Sequence, residues 1–157
     1  MSLASVFSRA RLGLESPLVT VEVHISNGLP GFQIVGLPET SVRESKERVR
    51  SAIINCGFEF PAKKIIINLA PADLPKDGGR FDLPIAVGIL AATGQLPDAD
   101  LQNYEFVGEL ALSGALRSIV GEIPVAMATA QTGRTLIISH HNAEQTTWVK
   151  QRSEERR

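Results

Sequence analysis

Residues 64–84 read Lys64-Ile-Ile-Ile-Asn-Leu-Ala-Pro-Ala-Asp-Leu-Pro-Lys-Asp-Gly-Gly-Arg-Phe-Asp-Leu-Pro84. Lys64 to Leu69 is dense in β-branched residues and reads as a strand, stopped by Ala70-Pro71. Asp73 to Arg80 holds two Gly and one Pro and reads as a loop. From Asp82 to Thr93 the chain is apolar nearly all round, which predicts a buried helix. Asp82 reads as its N-cap, Pro84 suits its first turn and Gly94 ends it. A strand, a glycine loop and a helix with no wet face require a sheet with that helix laid upon it.

Upstream, Leu18 to Ser26 alternates strictly. Val19, Val21, Val23 and Ile25 take one face, and Thr20, Glu22, His24 and Ser26 the other, the pattern of a strand with one wet side. Ser5 to Leu12 reads as its antiparallel partner across Gly13-Leu-Glu-Ser-Pro17. Asn27-Gly28 signals a turn, and Phe32 to Val35 a third strand. Pro38 to Cys56 reads as one helix, capped by Ser41 with Glu44 three residues on. Val42, Val49, Ala52, Ile53 and Cys56 share one face of it, so Cys56 reads as a small core residue, and Gly57 ends it. Downstream, Tyr104–Val107 and Ala115–Arg117 read as short strands around Ser113-Gly114. Glu122–Ala130 reads as a helix ended by Gly133, and Thr135–Ile138 as a closing strand. This order implies an α+β fold, a mixed sheet with helices packed on one face.

The chain of 157 residues has the size of one domain. It is 43% hydrophobic and 21% charged, a globular profile that excludes wholesale disorder. Cys56 is alone, so no internal disulfide can form, and the start carries no signal-peptide pattern. The longest mostly apolar stretch, Leu83 to Ala92, is about half of a membrane-spanning helix. The expected setting is a reducing cytoplasm, with no membrane partner. Sixteen Lys and Arg face seventeen Asp and Glu, a net charge of −1, which does not advertise nucleic-acid binding. A local basic patch is compatible with it. Lys150-Gln-Arg-Ser-Glu-Glu-Arg-Arg157 is nearly all polar and reads as a frayed end.

Four blocks carry a family likeness. They are Val35-Gly-Leu-Pro-Glu-Thr40, Arg48-Val-Arg-Ser-Ala-Ile-Ile-Asn55, Ile67 to Pro84, and Val107-Gly-Glu-Leu-Ala-Leu-Ser-Gly114. Together they resemble the N-terminal domain of the Mg-chelatase-like AAA+ ATPases of the ComM (YifB) type, linked to competence. The resemblance covers residues 1–138 and leaves 139–157 as a polar tail or linker stub. It implies the ribosomal-protein-S5-like fold that this domain shares with the Lon protease domain. It also implies a hexameric, ATP-driven ring that moves branched DNA during transformation, whose ATPase module follows the domain. No Gly-x-x-x-x-Gly-Lys-Ser/Thr occurs in these 157 residues, so ATP and Mg²⁺ are expected only at that module. No cofactor is expected here.

The Lon likeness also locates a former active site. Lon uses a Ser nucleophile activated by a Lys. The matching loop is Asp77, Gly78 and Gly79, and Asp82 stands about where the nucleophile would be. The segment matching the helix that bears the Lys, Gly121 to Met127, contains no Lys. With both halves of the dyad missing, the expected chain is no enzyme but an accessory domain for ring assembly or DNA handling. Its partners would be the ATPase module, or other copies of itself. A residual hydrolase using Asp82 is the weakest reading.

A rival reading is a stand-alone DNA-binding module. Arg43, Lys46 and Arg50 recur at helical spacing and could meet phosphates, and Lys76 and Arg80 join them if the loop folds back. The same stripe also reads as a solvated helix face, supported by the Glu44–Arg48 spacing. Lys63 and Lys64 could extend it. His140-His141 diverge on a regular element and do not suit one zinc ion. Asp73, Asp77, Asp82 and Glu109 are an oxygen set that would suit Mg²⁺ if they cluster. Trp148 and Tyr104 are too scattered for a base-stacking platform.

Overall fold

A computed structural model describes residues 2–144. The Lys150–Arg157 segment and Trp148 lie outside the described residues. The alternating stretch forms β2 (Leu18–Ser26), paired antiparallel with β1 (Ser2–Arg9). β3 (Gly31–Val35) lies parallel to β4 (Lys64–Ala70), which runs antiparallel to β2. β5 (Tyr104–Phe106) joins β1 in parallel, and β8 (Thr135–Ile137) joins β5 in parallel. The result is a six-stranded mixed sheet, ordered β3-β4-β2-β1-β5-β8. β6 (Glu109–Leu110) and β7 (Leu116–Arg117) make a separate hairpin around Ser113-Gly114.

Four helices of the described residues pack with these strands: α1 (Thr40–Arg43), α2 (Ser45–Asn55), α3 (Asp82–Ala92) and α4 (Glu122–Thr132). α3 lies against β1 and β2, and the valines of β2, Ile65, Ile67 and Leu69 of β4, and the fully enclosed Ile85 and Ile89 of α3 share one core. Each such isoleucine contributes roughly 1.5–3 kcal/mol. α3 crosses the sheet at Gly88, where a Cβ would come within 2.5 Å of the Val23 side chain. That close approach explains a glycine inside an otherwise apolar helix. α2 packs on α3, on the same side of the sheet. α4 packs at the far edge beside β8 and carries Thr129 to Glu105.

Three local expectations change. Pro38–Cys56 is not one capped helix: it breaks at Glu44 into α1 and α2, and neither has a side-chain cap. The Ser41 carbonyl, which an unbroken helix would offer to the Ser45 N–H, accepts instead from the Arg48 guanidinium at 3.1 Å. Cys56 is exposed, not in the core. It follows the end of α2, where its Sγ lies 4.0 Å from the Ser113 carbonyl of the hairpin. The folded chain also runs past residue 138. Ser139 and Asn142 are buried, and the Asn142 amide bonds both backbone groups of Ile119, at 2.9 and 3.1 Å.

Candidate functional site

The loop between β4 and α3 is held from three sides. Its backbone pairs with the chain after β3: the Glu39 N–H donates to the Lys76 carbonyl at 2.9 Å, and the Lys76 N–H to Leu37 at 3.3 Å. Ser41 does not cap a helix; its Oγ accepts from the Gly78 N–H at 2.8 Å. Gly78 has φ +76°, the left-handed conformation that glycine adopts freely. Gly79 lies close under Glu109, and a Cβ there, 2.7 Å from that side chain, would oblige it to move. Asp77 stays exposed.

Asp82 is fully buried at the first turn of α3, and it does not cap that helix. Its carboxylate accepts from Arg48 at 2.6 and 3.2 Å and from the Leu110 N–H at 3.0 Å. One side chain thus ties α2, α3 and the β6–β7 hairpin together. The bond to Asp82 raises the Arg48 pKa above the ordinary arginine value, with burial opposing. Arg48 reaches Glu44 only at 3.8 Å, so the expected i,i+4 pair is the lesser contact.

Two expected phosphate ligands are withdrawn from the surface. Lys76 is fully buried, and its ammonium donates to the carbonyls of Gly36 and Pro71. Burial lowers its pKa below the ordinary lysine value, and Asp73 partly opposes this. Arg80 is buried as well and donates to the carbonyls of Val120 at 2.5 Å and Arg9 at 3.4 Å. The loop does fold back, but it turns its cations inward to satisfy carbonyls.

The other three cations converge. Arg43 and Lys46 line a cleft of about 440 Å³ along Gln33–Pro38, and Lys46 and Arg50 line one of about 480 Å³ along Pro30–Phe32. Lys63 joins the second cleft, whereas Lys64 is exposed and lines neither. Phe60 stacks on Phe32 with ring centres 5.7 Å apart, and the Arg50 guanidinium lies 5.5 Å from the Phe60 ring centre. Among the described residues, no group of three or more His, Cys, Asp or Glu converges to hold a metal, and the four acids named above do not form one.

With this geometry in place, comparison with known proteins decides the relationship. Residues 21–142 match the family described as Subunit ChlI of Mg-chelatase. The chain belongs to this family. The ChlI-family chain is 63% identical over 143 residues to a protein named YifB from Salmonella typhimurium, covering 91% of the chain and 28% of that protein. It is 58% identical over 149 residues to competence protein ComM of Haemophilus influenzae, covering 95% and 29%. A more distant similarity, 27% over 124 residues, links it to Lon protease 2 of Bacillus subtilis, covering 74% and 22%. The chain therefore spans less than a third of the curated relatives it matches. The mixed sheet with its buried α3 agrees with the Lon-like, S5-like fold of the ChlI family.

Other buried polar groups of the ChlI-family chain were not singled out from sequence. Glu105, fully buried, accepts from Arg9 at 2.7 and 3.0 Å, Arg134 at 3.0 Å and Thr129 at 2.8 Å. The available signal was a lone acid in the apolar stretch Tyr104–Val107. Its partners are scattered along the chain, so no local spacing reveals them. Among the described residues, no helix is long and apolar enough to cross a membrane.

Proposed function

We propose that this chain is a non-catalytic accessory domain of a ComM-like, Mg-chelatase-family AAA+ ATPase, and that it serves assembly of the ring. One observation carries the non-catalytic reading, and the ring role comes from the likeness to ComM: Asp82, at the place of a Lon-like nucleophile, is buried and committed to Arg48 and the Leu110 N–H. A fully buried carboxylate that accepts three hydrogen bonds from its own chain is held away from any substrate and acts as a staple. ATP and Mg²⁺ belong to a module outside this chain, and the domain needs no cofactor of its own. DNA handling is the weaker role, because two of its five expected phosphate ligands, Lys76 and Arg80, are buried.

The test uses the longer natural protein, with and without residues 1–144. Light scattering after gel filtration in the presence of ATP should show a reduced ring fraction without the domain. An unchanged ring would overturn the assembly role. Loss of branched-DNA binding, with a salt slope of about 0.7–0.9 per phosphate contact, would transfer the role to DNA handling. Peptide turnover abolished by Asp82→Asn would restore the hydrolase.

A further inference from the structure

The basic clefts have a feature that the accessory role does not use. Among the described residues β3 is an outer strand, with β4 on one side and no strand on the other. The two clefts follow it along its whole length, with Lys46 lining both. Residues of β3 form one wall and residues of α1 and α2 the other. A groove between an open sheet edge and a helix is the geometry in which an extended peptide adds as a further strand. Five strand residues span about 16 Å, room for a peptide of similar length.

We infer that this groove binds an extended acidic segment of a partner protein, which adds to the β3 edge with its carboxylates facing Arg43, Lys46 and Arg50. Charge selects the partner. Four cations, these three and Lys63, line the clefts against one carboxylate, Glu47, in a chain whose net charge is −1. The positive field is therefore local, and it steers acidic segments. A second copy adding its own outer strand is a poor match, because neither outer strand, β3 (Gly-Phe-Gln-Ile-Val) nor β8 (Thr-Leu-Ile), holds an acid. Single-stranded nucleic acid is a poorer match than peptide. Phe60, the aromatic wall, is already stacked on Phe32 and covered by Arg50, and nucleic acid makes no use of an open strand edge.

The inference deepens the assembly reading, on which it rests only for the role of the partner. The experiment is an amide NMR titration of the 157-residue chain. The probe is a capped heptapeptide alternating valine and aspartate, at low salt and up to millimolar concentration. Shifts should centre on residues 31–37 and 43–50. Replacing aspartate by lysine, or N-methylating alternate peptide amides, should weaken binding by at least about tenfold, as should Lys46→Glu or Arg50→Glu. These side chains point into the groove, so unchanged amide spectra elsewhere will show that the variants fold. No shift at millimolar peptide overturns the inference. Equal binding of the N-methylated peptide also does, since the contact is then charge alone. Stronger binding of a short oligothymidylate makes the groove a nucleic-acid site. Ring formation is not read in this experiment, so either proposal can fail without the other.

Discussion

Removing either partner of the Asp82–Arg48 pair should destabilise the domain out of proportion to one ion pair. In Arg48→Ala the carboxylate, fully buried, keeps only the Leu110 N–H and is left as an uncompensated charge. Breaking a buried pair in this way costs about 3–5 kcal/mol. In Asp82→Ala the stranded guanidinium is one-fifth exposed and can turn toward water or Glu44. That variant still loses the acceptor of Leu110, at about 1–3 kcal/mol. Arg48→Ala should therefore be the more damaging single change. The double variant removes both charges and should cost less than the sum of the singles, with a coupling of about 2 kcal/mol or more. Urea unfolding of the four proteins measures this. At about 2–4 °C per kcal/mol, Arg48→Ala should also lower the melting temperature by roughly 10 °C. A coupling below about 1 kcal/mol, the range of exposed pairs, would refute the staple.

Other outcomes follow from single groups. Burial pushes the Glu105 pKa up, but the bonds from Arg9, Thr129 and Arg134 outweigh it and hold it below the ordinary 4.5. A depressed carboxyl pKa stabilises above the unfolded value and loses that contribution as pH falls. Stability measured by urea midpoint should thus drop below about pH 4.5 more steeply in the parent than in Glu105→Gln. Lys76→Met leaves the Gly36 carbonyl without the ammonium and the Pro71 carbonyl with only the Leu74 N–H at 3.4 Å, and should cost about 1–3 kcal/mol by the same assay. Gly36→Ala should be worse tolerated than Gly57→Ala. Both positions have positive φ, but only at Gly36 would a Cβ overlap the Leu69 backbone. Thermal melts of the two variants decide it.

Much of the architecture is legible in local pattern. Alternation at Leu18–Ser26 places four side chains on one face, and all four are buried there. The uniformly apolar stretch after Asp82 has no wet side to offer, and α3 is indeed enclosed. Gly57, Gly94 and Gly133 end helices with positive φ, as their positions imply. Such periodicities are properties of neighbours in sequence, and hydrophobic burial reads them directly. The destinations of the charged side chains are a different matter. Asp82, Lys76 and Arg80 lie within seven residues, and each is buried by a partner at least five and up to seventy-one positions away. Their spacing suggested a cap and two phosphate ligands because sequence shows what a polar group can do locally, not which distant carbonyl or guanidinium will reach it. Arg43, Lys46 and Arg50 kept their shared side despite the break at Glu44, yet the open β3 edge beside them arises from strand order. Composition and periodicity thus settled most of the apolar residues that enter the core, with Cys56 the exception. Long-range pairing settled which charges were spent inside it and which remain to meet a partner, because a buried charge must find its complement wherever the fold brings one.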